Sequence, residues 1–187
     1  MELADAIRSR RTWKSYSGDP LTREQLDELF ELARWAPNHK LTQPWRFRVV
    51  GPEAFERLRT VAAEQARAEA PEGADPEKIV EVALKKLSMA PTIVAVTTVR
   101  NPDPKLDVED FAASSVAAYI LLLAATDRGY ANFWRSPGVL QSVEGSAVLG
   151  IDAGEEPLGL IYLGLPGDVP PNPGTREELA HFVTYLD

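Results

Sequence analysis

A chain of 187 residues with 28 acidic and 20 basic side chains has a formal net charge of −8. That balance argues against nucleic-acid binding, which depends on basic surface to neutralise phosphates. There is no cysteine and there are two histidines, His39 and His181, so disulfides, iron–sulfur clusters, thiol nucleophiles and thiolate zinc sites are excluded, and a histidine-built metal centre has too few ligands.

The first residues, Met1 to Ile7, lack a basic region followed by an apolar core, so a cytoplasmic location is expected. Leu3 and Ile7 share one face of a short helix that runs into Arg8, Arg10, Arg11 and Lys14 around Thr12, the most basic segment of an acidic chain. Two readings are open for this cluster. Cations near a helix C-terminus complement its dipole, and guanidinium forks with a hydroxyl beside them suit a phosphate.

Thr22 to Gln25 form a capping box, and Leu21 with Leu26 form a hydrophobic staple, so a helix starts here. Leu26, Leu29, Phe30 and Ala33 give it one apolar face, and Pro37 stops it. Between Pro37 and Pro44 lies a polar loop, Asn38, His39, Lys40, Thr42 and Gln43, pinned at both ends. A rigid loop rich in hydrogen-bonding groups suits a polar, planar ligand, and it also suits an ordinary helix-to-strand connection.

Trp45 to Val50 reads as a strand, and Pro52 opens a charged helix with a thin stripe of Phe55, Leu58 and Ala62. Its continuation, 64–74, reads as a surface excursion. Asp75 and Pro76 start another helix, in which Ile79, Ala83 and Leu87 recur. Thr92 to Val99 is β-branched and apolar on both faces, as a central strand covered on both sides requires.

The helix predicted for 108–128 is apolar almost all round between Val116 and Ala125 and belongs inside a core or between subunits. Its longest apolar run falls short of the roughly 20 residues that span a bilayer, so no membrane partner is expected. Strands are predicted at 130–134 and 158–165, with a brief helix capped by Ser142 between them, and Phe182 to Tyr185 reads as a last strand. Helices interleaved with four or five strands around one sheet give an α/β or α+β class in a single domain, 1–187.

Glycine-rich nucleotide loops, a nucleophile elbow and a His-Glu-x-x-His motif are absent. Polar groups gather instead in three places, Arg10 to Lys14, Asn38 to Gln43, and Trp134 to Ser136. Taken together these segments resemble the nitroreductase family of flavin enzymes. Ile7-Arg8-Ser9-Arg10-Arg11-Thr12 stands where the family has an Arg-Arg-Ser signature. Ala36-Pro37-Asn38-His39-Lys40-Leu41-Thr42-Gln43-Pro44-Trp45 is similar to its Ala-Pro-Ser…Gln-Pro-Trp loop, and Leu163-Gly164-Leu165-Pro166 to a late strand end. With Phe133-Trp134-Arg135-Ser136, the pattern most resembles a short subgroup of NAD(P)H nitroreductases.

That resemblance implies an α+β fold, a central and mostly antiparallel sheet flanked by helices, and an intertwined homodimer binding FMN at its interface. Arg10, Arg11 and Thr12 would then hold the phosphate and ribityl end, and His39 and Gln43 would contact the flavin. Trp134, Arg135 and Ser136 would complete the pocket. Thr12 departs from the usual serine but keeps the hydroxyl. Lys14 is the candidate for a cation near N1 and O2 of the flavin, where reduction places negative charge. The implied activity is transfer of hydride from NADH or NADPH, by a ping-pong route, to a nitroaromatic, a quinone or a related acceptor. The alternative is a flavin-holding dimer without turnover.

Overall fold

A computed structural model describes residues 1–186. A sheet of five antiparallel-paired strands lies between two helical layers, and β3 and β5 form its centre. β3 (Thr92–Val99) is paired along both edges, to β2 (Trp45–Val49) and to the long β5 (Glu155–Pro166). β5 also pairs β4 (Ala131–Arg135) and, at its end, the two-residue β1 (Tyr16–Ser17), which the sequence did not suggest.

Strand alternation explains the layers. On β3, Val94 and Val96 face one core with Leu26, Leu29, Leu121 and Ala125. Ile93 and Ala95 face the other, with Leu58, Leu87, Leu140 and Leu149. The first core belongs to α2 (Arg23–Ala33) and α5 (Pro104–Asp127). The second belongs to α3 (Pro52–Ala68), α4 (Pro76–Leu87) and α6 (Val143–Val148). Both faces of β3 are covered, so its seven residues Thr92 to Thr98 are all buried.

The helix ends follow their local chemistry. Thr22 Oγ1 accepts the Gln25 amide at 3.3 Å and Gln25 Oε1 accepts the Thr22 amide at 2.8 Å, closing the capping box of α2. Asp75, Asp103 and Ser142 accept amides at the starts of α4, α5 and α6. α3 continues through Glu64 to Ala68 and packs against α4, so only its far end leaves the body, unlike the excursion expected over 64–74. Arg67 pairs with Glu77 across that hairpin at 2.8 Å.

α5 is long and apolar enough, by length and composition, to cross a bilayer. Nine of its residues are nevertheless buried in this fold, Asp110 and Ser114 among them. Its outer face keeps Val108, Phe111, Val116 and Tyr119 exposed by 39–71%. Their spacing of three to five residues makes one apolar stripe.

The expected last strand, Phe182 to Tyr185, is not formed. A single 3₁₀ turn, Leu179–His181, precedes it, and Phe182, Tyr185 and Leu186 are 71–90% exposed. A strand needs an edge to pair with, and this segment meets none among the described residues of its own chain.

Candidate active site

α1 (Leu3–Ser9) ends at Arg10, whose amide donates to Ala6 O at 3.0 Å. The chain then runs beside β4. Thr12 forms an isolated parallel bridge with Asn132, and the Trp13 amide donates to Asn132 O at 3.1 Å. Asn132 is fully buried, and its Nδ2 donates to Leu122 O at 3.3 Å and Thr126 Oγ1 at 2.9 Å near the C-terminal end of α5. The basic segment therefore sits on a rigid base.

Its charges are uncompensated. Among the described residues no carboxylate lies within ion-pair distance of Arg10, Arg11 or Lys14. One Arg11 nitrogen instead donates to the Arg10 carbonyl at 2.8 Å. Three cations and a hydroxyl within five residues, in a chain of net charge −8, favour an anion there. Asn132 Oδ1, buried below Thr12, accepts no hydrogen bond.

The polar loop is built differently. Lys40, Leu41 and Gln43 have positive φ, 55°, 52° and 46°, a region that costs an L-residue about 1–2 kcal/mol. The Gln43 amide donates to Asn38 Oδ1 at 2.9 Å, and Arg46 donates to Gln43 O at 3.0 Å. Gln43 lines an open cavity of about 460 Å³ together with Trp35, Pro37, Asn38 and Leu41. His39 turns to α5, where its Nδ1 lies 2.6 Å from Glu109 Oε2. Asn38 and Thr42, to which the resemblance gave no flavin contact, are the residues that shape the loop.

One chain does not bring the three segments together. The loop docks at Glu109 and Asp110 near the start of α5, whereas Thr12 lies over Asn132, which reaches Leu122 and Thr126. Those anchor points are twelve to seventeen residues apart on one helix, about 18–26 Å by the α-helical rise.

Trp134 and Arg135 diverge as well, because neighbouring strand residues face opposite sides. Trp134 packs into the α5-side core and its Nε1 donates to Leu158 O at 3.1 Å. Arg135 lies on the α3 and α4 side, donating to Lys86 O at 3.1 Å. Ser136 makes one long contact, 3.4 Å, to Leu158 O. Trp134 and Arg135, expected to help complete the flavin pocket, thus leave β4 on opposite faces of the sheet.

Near Arg135 the Tyr162 hydroxyl is buried without a hydrogen-bond partner, and burial pushes its pKa up. Tyr16, on the same side, is also pushed up by burial, and its hydroxyl donates to Trp13 O at 3.0 Å. Tyr16 thus supports the basic segment as a neutral group through Trp13.

The family model described as the Nitroreductase family matches residues 7–165. The chain belongs to this family. YfhC of Bacillus subtilis, provisionally named an NAD(P)H nitroreductase, is 29% identical over 170 residues, covering 90% of this chain and 86% of that protein. Among solved structures, a nitroreductase-like family protein from Bacillus cereus superposes with a TM-score of 0.84 at 21% identity, over 100% of this chain and 97% of that one. The FMN-dependent nitroreductase NfnB from Mycobacterium smegmatis, solved with NADPH, gives 0.76 at 20% identity, over 98% and 97%. At these identities the two structures establish a nitroreductase fold. The stretch matched by the family model includes the basic segment, the polar loop and the 134–136 strand end.

Proposed function

We propose that this nitroreductase-family chain is an FMN-dependent NAD(P)H oxidoreductase acting on nitroaromatics, quinones or related acceptors. The observation that carries the reading is the uncompensated cluster of Arg10, Arg11 and Lys14 around Thr12, fixed on β4 through Asn132. Its donors fit a phosphate monoester. Arg10 and Arg11 would neutralise the phosphate of FMN, Thr12 would donate to it or to the ribityl chain, and Lys14 would supply a cation toward the ring. When bound, FMN supplies hydride acceptance from NAD(P)H and delivery to the acceptor.

The same reading includes a homodimer in which the site is composite. The exposed stripe on α5 suits an isologous contact, and a two-fold axis across a helix sets the two copies antiparallel. The start of one α5 then lies beside the end of its partner's. This arrangement moves the polar loop of one copy, with His39 and Gln43, towards the basic segment of the other. The exposed 167–186 segment and the outer edge of β2 supply further surface for exchange between copies.

The test is an anaerobic titration of purified, FMN-loaded protein with NADH and with NADPH, followed by reoxidation with a nitroaromatic and a quinone. Bleaching and recovery of the flavin spectrum, with parallel double-reciprocal plots in the steady state, are expected. Protein that takes up no FMN ends the reading. Bound FMN that neither nucleotide bleaches favours flavin holding without turnover.

A further inference from the structure

Lys40, Leu41 and Gln43 hold left-handed backbone angles without a glycine among them. Such a loop relaxes unless its surroundings over-determine it. Hydrogen bonds hold it from two sides. From within, Asn38 bridges the loop, accepting the Gln43 amide at 2.9 Å and donating to Ala36 O at 3.1 Å. From outside, Thr42 donates to Asp110 Oδ1 at 2.5 Å, while Asp110 Oδ2 accepts Asn101 Nδ2 at 2.9 Å.

Asp110 is an unusual residue for that place. It is 2% exposed on a helix whose next inward residues are Ala113 and Ser114, and among the described residues no cation pairs with it. Burying a carboxylate without a counter-charge is unfavourable, and its two hydrogen-bond donors are what make the position tolerable. A carboxylate accepts only, so it dictates which way the Thr42 hydroxyl points. Glu109, one residue earlier, holds His39 in the same manner.

We propose that Asp110 is a positioning residue, which through Thr42 locks the strained loop in the conformation that presents Gln43 to the flavin. The proposal rests on the FMN reading above. Because Asp110 stands on α5, beside the stripe assigned to the dimer contact, it also ties the loop to the helix that would set the partner's position.

The test uses Thr42→Val, which keeps the side-chain shape and removes the donor, Thr42→Ser, which retains it, and Asp110→Asn. Thr42 is only half-buried, so Thr42→Val remains informative if Asp110→Asn fails to fold. Hydrogen exchange over residues 38–45 is measured on FMN-free protein, and FMN affinity and the bound flavin's absorption maximum on titrated protein. Exchange about tenfold faster for Thr42→Val is expected, together with about tenfold weaker FMN binding and a shifted flavin spectrum. Thr42→Ser should restore wild-type values for all three. Wild-type protein that binds no FMN defeats the flavin reading before any variant is made, and this proposal with it. Wild-type protein that binds FMN, with Thr42→Val unaltered in exchange or in affinity, overturns this proposal alone.

Discussion

Arg10 and Gly159 show how much one position can decide. Arg10 has no carboxylate partner within the described chain, so its guanidinium is free to take an anion. Replacing it with alanine removes a charge-assisted bond of about 1.5–3 kcal/mol, and FMN affinity should fall about 10- to 100-fold. Flavin fluorescence quenching measures this, and unchanged affinity would remove Arg10 from the site. Gly159 has φ +153°, and an added Cβ would come 2.4 Å from Trp134 Nε1 and 2.7 Å from Arg135 O. Gly159→Ala should therefore displace the indole and lower stability by about 2 kcal/mol or more, read as a drop in thermal midpoint. The Arg-Arg-Thr segment was legible in the sequence because charge and motif coincide. The strained Lys40, Leu41 and Gln43 were not, because nothing in their residue types requires a positive φ.

Among the elements, the sheet is tied across its width by Arg48 on β2 and Glu155 on β5. Their bidentate pair, at 2.7 and 2.8 Å, passes over Thr97 of β3, whose hydroxyl also donates to Glu155. Burial raises the Glu155 pKa, but the hydrogen bonds from Arg48 and Thr97 and the Arg48 charge together outweigh it and hold the group below its ordinary value. The stabilisation is thus fully present above the unfolded carboxylate pKa, about 4.3, and is lost as pH falls through the lower folded value. Urea unfolding from pH 6 down to pH 3 should show this loss, and Glu155→Gln should reduce the slope. Arg48→Met leaves the nearly buried carboxylate, 6% exposed, without its partner. It should cost about 3 kcal/mol. At this scale the sequence placed β2, β3, β5 and the capped helices well, since periodicity and caps are local signals. It erred at Phe182 to Tyr185, where the pattern is a strand's but the segment pairs with no edge among the described residues.

For the whole molecule, the proposed dimer is tested on the outer face of α5. Val116 and Tyr119 lie at the middle of the exposed α5 stripe, where an isologous contact would cross itself. Val116→Asp should give a monomer by light scattering and lose FMN binding at the same time, because the site as proposed draws on both copies. Retention of FMN by a monomer would show that one chain suffices. Buried-face residues of the same helix, such as Leu121, pack within the chain, so the fold itself should survive the Val116 change, as a native circular dichroism spectrum would report.

The amino-acid sequence by itself determined most of the helices with the caps at Thr22, Asp75 and Ser142, the apolar strands, the absence of thiol chemistry, and the three polar segments that resemble the family. These depend on neighbours within a few residues, or on composition. Only the tertiary structure decided how those segments are placed. It set Trp134 and Arg135 on opposite faces, and it anchored the loop and the basic segment towards opposite ends of α5. It also placed Asn38, Thr42 and Asp110 where they hold the loop. The physical reason is that these relations are made by contacts between residues distant in the chain, through strand alternation and through the length of one helix.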